Sequence, residues 1–312
     1  MDNFILSLHA VLPMFLIMAV GYLIRHIGLM DRNDVFNINK VCFRIFLPCM
    51  LFHNIYTSDL SGSIRPGLIL FAVCSVLVIY FLTTFYVVHT ESDRSLQGVM
   101  IQGLFRSNYV IMGIPIAEAL LGSEQLGPIS ILIGIIVPLY NVLAVICLER
   151  YRGNKRSIGD LLLPILKNPL IIGSFLGIMT LVLHIQLPYV IDSAVSGLAQ
   201  IAAPLQLFTL GVFFEFSGLR KYAHQLIKVN TGKLVILPGI FLTIAYCFGF
   251  RNADFVSLLG IFAAPTAINS FTMAQQMGGN DELAGDIVIS TTAFSCLSMF
   301  LWTLIFKTIG AF

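Results

Sequence analysis

Charged residues are scarce in this sequence. They make up 11% of its 312 residues, whereas a soluble globular domain carries about 25%. Hydrophobic residues account for 57%, and the mean hydropathy is +0.90. With so few charges the chain cannot cover a water-facing surface. This excludes a soluble globular protein and indicates a chain that lies in a membrane.

The motifs of enzymes and metal sites are also missing. The sequence has no HExxH motif, no Walker A motif and no pair of aspartates within an apolar stretch. Its six cysteines form no CxxC pair, and its six histidines share no ligand spacing. We therefore expect no catalysis, no cofactor and no metal. A net charge of +2, scattered along the chain, gives no reason to expect a nucleic-acid partner.

Long apolar stretches are what the sequence has in abundance. A helix crosses the hydrocarbon core of a bilayer in roughly 20 residues. We predict an all-α, multi-pass protein of the cell membrane with ten transmembrane helices. The first lacks a basic n-region, so we interpret it as a span and not as a cleaved signal. The predicted spans are 4–24, 36–56, 66–88, 97–121, 126–147, 165–184, 187–214, 233–250, 255–278 and 285–306.

Lysine and arginine residues are unequally divided between the two sides of this arrangement. The odd-numbered loops and their helix ends contain twelve, with Lys233 counted among them, and the other side contains three. Cytoplasmic loops carry the excess of positive charge in membrane proteins. We therefore predict cytoplasmic odd loops and two extracytoplasmic termini. The basic loops need have no role beyond this orientation.

The two halves of the chain resemble each other at an offset of 156 to 157 residues. We predict a first repeat at 1–148 with spans one to five, a cytoplasmic connecting loop at 149–164 and a second repeat at 165–312. Because each repeat has an odd number of spans, the second enters the membrane upside down, as in many secondary transporters. The matched pairs include Pro13 and Pro169, Gly21 and Gly177, Pro48 and Pro204, Phe105 and Phe262, and Gly122 and Gly279.

The fourth and ninth spans each contain a proline, Pro115 and Pro265. A proline inside a helix has no N–H and clashes with the carbonyl four residues earlier, which belongs here to Ile111 or Ile261. We predict two broken helices that cross at the centre of the protein. The alternative is that each proline only kinks a packed helix.

Small and polar residues flank both predicted breaks. Irregular backbone within a membrane is tolerated where it is buried in protein or lines a wet cavity. Half-helix N-termini at a break carry positive dipole ends and free N–H groups, which suit an anion. The predicted substrate-binding residues are Asn108, Gly113, Pro115, Pro265, Thr266, Asn269 and Ser270.

A few charged residues lie within or beside the spans. Charges at membrane depth are costly and usually functional. Glu118 follows Pro115 by one turn, and the repeat matches it with Gln275, so we predict ion coupling at this pair. A structural hydrogen bond is the alternative for Glu118. Arg44 contacts either an anion or a structural partner. Lys40 and Arg106 either snorkel to the interface or take part in function.

Four segments of the sequence resemble the auxin efflux carrier family, which includes plant PIN-type auxin carriers and bacterial malate or malonate permeases. They are INKVCFRIFLPCMLF in the second span, FRSNYVIMGIPIAEALLG in the fourth, QIAAPLQLFTLGVFF in the seventh and APTAINSFTMAQQMGG in the ninth. The segments occur in the family's order and spacing, and the resemblance covers the whole chain.

The resemblance implies a scaffold of spans 1, 2, 6 and 7 and an elevator-type transport domain of spans 3–5 and 8–10. It also implies a homodimer and a small organic anion, such as a malate- or malonate-like dicarboxylate, as substrate. Import against the membrane potential needs a driving ion, and we predict H⁺ or Na⁺. The alternatives are an auxin-like weak-acid efflux uniporter and a passive channel. The short connection between spans five and six differs from the long loop of plant carriers.

Overall fold

The computed structural model describes residues 2–58, 65–122, 125–152 and 163–312, with side chains from residue 11 onward. Within these ranges the regular structure is helical, and no strand is present. The helices follow the chain in the order α1 (Asp2–His26), α2 (Arg32–Tyr56), α3 (Pro66–Thr90), α4a (Arg94–Phe105), α4b (Tyr109–Leu121), α5 (Gly127–Tyr151), α6 (Pro169–Val182), α7 (Tyr189–Phe213), a linker helix (Phe216–Lys221), α8 (Ala223–Cys247), α9a (Asn252–Ala263), α9b (Asn269–Met277) and α10 (Asp281–Thr308).

Among the described helices, six are long and apolar enough to cross a membrane: α2, α3, α5, α7, α8 and α10. Shorter apolar helices are α4b, α6, α9a and the Val11–His26 part of α1. The all-helical membrane architecture predicted from composition is therefore confirmed.

Side-chain caps explain where several helices begin. Asp31 accepts hydrogen bonds from the backbone N–H groups of Asn33 and Asp34 at the start of α2. Asp93, Asn168 and Asn280 cap α4a, α6 and α10 in the same way. The first N–H groups of a helix have no partner within the helix, and an Asp or Asn oxygen supplies one.

Three of the prolines inside continuous helices follow a π-helical turn. Each of Pro48, Pro115 and Pro238 follows by two residues a five-residue π-helical turn, at Cys42–Phe46, Tyr109–Gly113 and Gly232–Ile236. The wider turn accommodates the proline ring, which cannot take part in the regular i→i−4 ladder. At the third proline, the carbonyl left free at Leu234 accepts a 2.8 Å hydrogen bond from the Trp302 indole N–H.

Glycines bring the helices of the two halves into close contact. A Cβ on Gly211 of α7 would lie 2.0 Å from the carbonyl oxygen of Met18 of α1. A Cβ on Gly21 of α1 would lie 2.1 Å from the carbonyl oxygen of Phe208 of α7. In the other pair of helices, a Cβ on Gly173 of α6 would lie 2.7 Å from the carbonyl oxygen of Pro48 of α2. The pairs α1–α7 and α6–α2 therefore pack through bare backbone.

The structure corrects the predicted start of the eighth span. The prediction was 233–250, preceded by a polar loop, but α8 begins at Ala223. Lys233, counted with the cytoplasmic loops, is therefore in the middle of a helix and 2% exposed. The polar residues before it form the first turns of α8. Most of the predicted connecting loop, residues 153–162, lies outside the described residues.

Candidate functional site

Helices α4 and α9 are both interrupted, and their interruptions meet. The gap in α4 is Arg106–Asn108, and the gap in α9 runs over 264–268. Ser107 and Thr266 pair as an antiparallel β-bridge. The Asn108 N–H donates a 2.8 Å hydrogen bond to the Pro265 carbonyl. The predicted crossing of two broken helices is thus present, and backbone hydrogen bonds hold it together.

Each interruption also supplies a hydroxyl that caps the other helix. The Ser107 hydroxyl donates a 2.5 Å hydrogen bond to the carbonyl of Ile261, which Pro265 frees as predicted. The Thr266 hydroxyl donates a 2.7 Å bond to the carbonyl of Gly103. These bonds satisfy the C-terminal ends of α9a and α4a. Thr266 was predicted as a substrate contact, but its hydroxyl donates its hydrogen bond to this helix end.

The break in α4 is not at Pro115, where the sequence suggested it. It lies at residues 106–108, and Pro115 is inside α4b. Gly113 is explained by packing, since a Cβ on Gly113 would lie 2.9 Å from the Tyr109 ring. The expected free N–H groups after Pro115 therefore belong to a continuing helix. The N-terminal end that faces the crossing begins at Tyr109 instead.

A cavity of about 60 Å³ lies beside the crossing. It reaches the first residues of both second half-helices, which have no side-chain cap. The positive ends of two helix dipoles therefore point toward one small space. The polar and charged residues of its lining are Asn54, Arg106, Ser107, Asn108, Tyr109, Tyr140, Asn141, Gln206 and Asn269.

Arg106 is the charged residue of this lining. Its side chain is 2% exposed. One guanidinium nitrogen donates a 2.5 Å hydrogen bond to Asn141 Oδ1, and another lies 2.6 Å from the Met273 sulfur. Among the described residues Arg106 forms no salt bridge, so its charge is buried without a carboxylate partner. The structure thus excludes snorkelling for Arg106, because the side chain turns inward.

Several side-chain atoms around the cavity are buried without a hydrogen-bond partner in the described part of the chain. They include the amide nitrogens of Asn108 and Asn141, the amide oxygen of Asn269 and the hydroxyls of Tyr109 and Ser270. Buried polar atoms normally have partners. The two amide nitrogens and the Arg106 guanidinium form a set of donors at one cavity, as an anion requires.

A second buried cation lies behind the crossing. The Lys233 side-chain nitrogen donates a 2.5 Å hydrogen bond to the Ser107 hydroxyl. Lys233 forms no salt bridge within the described ranges, and it does not line the cavity itself. The crossing is therefore flanked by two buried basic side chains.

Gln275 and Glu118 do not meet. The Gln275 amide accepts a 2.8 Å hydrogen bond from Asn39 and donates a 3.1 Å bond to Asp281. Glu118 is exposed and absent from the cavity lining. The structure therefore does not bring the two predicted coupling residues into contact.

Arg44 and Lys40 are both exposed on α2. Neither lines the cavity, so the structure does not bring Arg44 to the other predicted contacts. It does place Asn108 and Asn269 there together, with Ser270 next to them. Pro265 holds the bridge, while Gly113 and Pro115 belong to the adjoining helix.

The sequence profile described as "Membrane transport protein" matches residues 6–303, nearly the whole chain. The chain belongs to this family, the auxin efflux carrier family. A "Putative malonate transporter" of Rhizobium meliloti is 24% identical to this chain over 294 residues, and the match covers 91% of each chain. An "Uncharacterized transporter" of Methanothermobacter thermautotrophicus is 23% identical over 96% of this chain and 98% of its own.

A third relative shows that the same unit occurs within a longer protein. The "Lysosomal cholesterol signaling protein" of Mus musculus is 26% identical over 97% of this chain, and the match covers 38% of that protein. The chain is therefore a multi-pass membrane transport protein, as its resemblance to the auxin efflux carrier family implied.

Several polar residues in or beside the site were not predicted from the sequence, among them Asn141, Gln206 and Lys233. Asn141 and Gln206 are isolated polar residues in apolar helices. This isolation is the sequence feature that could have indicated their place in the site. The polar residues before Lys233 resemble a loop, so Lys233 was counted with the loops and not with the span. Its signal was the 25-residue stretch Ala223–Cys247, which is apolar enough to be a span with the lysine in its middle.

Proposed function

We propose that the protein is a secondary transporter of small organic anions, with dicarboxylates of the malate or malonate type as substrates. The single observation that carries the proposal is Arg106, a guanidinium buried beside a cavity with no carboxylate partner in the described structure. A buried charge without a partner is strongly unfavourable. A substrate carboxylate supplies the missing partner, because its two oxygens accept hydrogen bonds from the guanidinium.

The size and donors of the cavity favour a short dianion. One carboxylate binds Arg106, and the other accepts from the amide nitrogens of Asn108 and Asn141, which are buried without a partner in the described structure. The N-terminal ends of α4b and α9b add favourable electrostatic potential. The relative from Rhizobium meliloti, whose name refers to malonate, supports this substrate class.

We further propose ten transmembrane spans in two inverted repeats, with both termini outside the cell membrane. The glycine contacts support this arrangement, because Gly21 and Gly177, matched by the repeat, both lie at tight contacts between the first and second halves. Helices α1, α2, α6 and α7 form the scaffold, and the remaining helices carry the site in an elevator motion. The scaffold is the surface through which a homodimer forms.

Transport of the anion into a negative cytoplasm requires a coupled cation, H⁺ or Na⁺. Glu118 and Gln275 were the coupling pair expected from the sequence, and their separation removes the geometric reason for coupling them. Efflux by an auxin-like uniporter needs no such ion, and a passive channel needs no closed intermediate. Accumulation of substrate above its external concentration distinguishes import from both.

The test is binding and uptake by the purified protein. Malonate, malate, monocarboxylates and indole acids are compared by thermal shift and by uptake into proteoliposomes. We expect dicarboxylates to raise the melting temperature, and we expect Arg106→Met to abolish that rise. Arg251→Met is the matched control, because Arg251 lies at the start of α9a, away from the cavity. Equal responses of both variants to malonate would refute the assignment of Arg106.

A further inference from the structure

We infer that Lys233 binds the proton that is transported with each anion. The inference rests on the proposed function, because it assumes an anion beside Arg106. The coupling group is then an amine, which gains a proton when the substrate binds, and not the carboxylate of Glu118. The geometry around the crossing supports this inference.

The first observation is the position of the amine. Lys233 is 2% exposed, and its Nζ lies 2.5 Å from the Ser107 hydroxyl. Ser107 follows Arg106 in the chain and lines the cavity. One hydroxyl group therefore separates the Lys233 amine from the space that the anion occupies. The Ser107 hydroxyl donates its own hydrogen to the Ile261 carbonyl, so its oxygen accepts a hydrogen bond from the amine and fixes the position of the amine.

The second observation concerns the charges on the helices that pack against Lys233. Their carboxylates are engaged elsewhere or lie toward helix ends: Asp254 with Arg65, Glu282 with Lys221, and Asp281 with Gln275. Asp286 lies against Gly218 of the linker helix, near the start of α10, and its Oδ2 is buried without a hydrogen-bond partner among the described residues. The other titratable side chains on these helices and beside Ser107 are Arg94, Arg106, Tyr140, His224, Lys228, Tyr246, Cys247, Cys296 and Lys307.

These surroundings make protonation of Lys233 depend on the cavity. Burial disfavours the charged form of an amine. With no anion bound, no carboxylate among the described residues forms a salt bridge with Lys233. An anion in the cavity attracts the ammonium and reverses the balance. Anion binding and proton uptake therefore strengthen each other, as linkage requires.

The proton follows the substrate through the cycle. In the outward-facing state, the anion binds and Lys233 takes one proton from the external water. In the inward-facing state, the anion leaves, and the amine returns its proton to the cytoplasmic water. The net result is one anion and one proton moved together. Protonated Lys233 supplies positive charge beside the bound anion. It loses this proton when the anion leaves and takes up another in the next cycle.

The test measures protons taken up on binding. Malonate is added to the detergent-solubilised full chain at pH 8 in weak buffer with a pH indicator, and binding is followed in parallel by thermal shift. We expect about one proton to be taken up per malonate bound. Lys228→Met, an exposed lysine on the same helix, should behave like the wild type. Lys233→Met should take up none.

A second variant separates titration from folding. Lys233→Arg keeps a positive charge that does not titrate, so it should bind malonate without proton uptake. If both variants fail to fold, the wild type decides: its malonate affinity should fall between pH 7 and pH 9, by up to about tenfold per pH unit. A flat affinity, or proton uptake by either variant, overturns the assignment alone. If no anion of the panel binds the wild type, the proposed function falls and takes this inference with it.

Discussion

The Arg106 guanidinium donates a 2.5 Å hydrogen bond to Asn141 Oδ1, and the amide nitrogen of Asn141 is buried without a partner among the described residues. The amide therefore orients the guanidinium without neutralising it, and it adds a donor to the cavity. An aspartate would have the same shape and a negative charge. Asparagine at this position preserves the charge for a ligand.

This relationship predicts the effect of Asn141→Asp. The new carboxylate would pair with Arg106, so malonate affinity should fall by more than tenfold, or about 1.4 kcal/mol. The melting temperature without ligand should not fall, because a buried charge gains its partner. Asn37→Asp, at an exposed asparagine of α2 outside the cavity lining, is the control. Unchanged malonate affinity in Asn141→Asp would contradict the anion site.

The contact between α1 and α7 predicts a sharp difference between two glycines of one helix. Gly211→Ala would force a Cβ against the Met18 carbonyl and should destabilise the protein by about 1–3 kcal/mol. Gly197→Ala, where no atom lies within 4 Å of the added Cβ, should be neutral or stabilising by about 1 kcal/mol. Thermal unfolding in detergent measures both. Equal effects would show that α1 and α7 are not in this contact.

Glu118→Gln distinguishes two sites for the coupling ion. If Lys233 carries the proton, this variant should still accumulate malonate in proteoliposomes on an imposed pH gradient. The reason is the exposure of Glu118 and its absence from the cavity lining. Loss of accumulation with retained substrate exchange would instead assign coupling to Glu118.

The prolines show how far the sequence determines this site. Pro265 frees the Ile261 carbonyl and marks a true break, as predicted, whereas Pro115 is absorbed by a π-helical turn. The local chemistry of the two prolines is the same. The difference arises because Ser107 and Thr266 pair across the crossing. A contact between residues so distant in the chain leaves no local signal.

Lys233 shows a second limit. Its neighbours on the N-terminal side are polar, and a single sequence does not say whether such residues form a loop or extend a helix. Burial of Leu226 and Val229 on one face of α8 settles the question. The overall class was easier to predict, because apolar length and scarce charge are properties of the whole chain.

The loop between α7 and the linker helix predicts a dependence of stability on pH. Arg25 donates a hydrogen bond to Glu215, and Arg32 lies 2.8 Å away. The hydrogen bond from Arg25 and the nearby positive charges lower the pKa of Glu215. The stabilisation is therefore present above the ordinary glutamate pKa and is lost as pH falls through the lowered one.

Glu215→Gln tests this interaction. The variant should melt at a slightly lower temperature than the wild type at neutral pH, and the difference should shrink in acid. The effect is modest because both side chains are about one-third exposed. Glu118→Gln, at an exposed glutamate, gives the effect of removing a charge alone. A difference that grows as the pH falls would contradict the sign.

The orientation of the chain is tested with a reporter fused after Phe312. The excess of basic residues in the odd loops predicts that both termini are outside. A C-terminal reporter that is active only in the cytoplasm should therefore be silent, and one that is active only outside should be bright. The reverse pattern would place the C-terminus in the cytoplasm and contradict either the predicted orientation or the number of ten spans.

The reciprocal caps at the crossing impose an order on biosynthesis. The Gly103 carbonyl receives its hydrogen bond from Thr266, which is 163 residues later in the chain. The first half leaves the ribosome and enters the bilayer before this donor has been translated. Until then, the carbonyl at the C-terminal end of α4a lacks its hydrogen-bond donor. The donor arrives when the last spans are inserted. We therefore expect a fragment that stops between the halves to be degraded, and we expect coexpressed halves to protect each other from degradation.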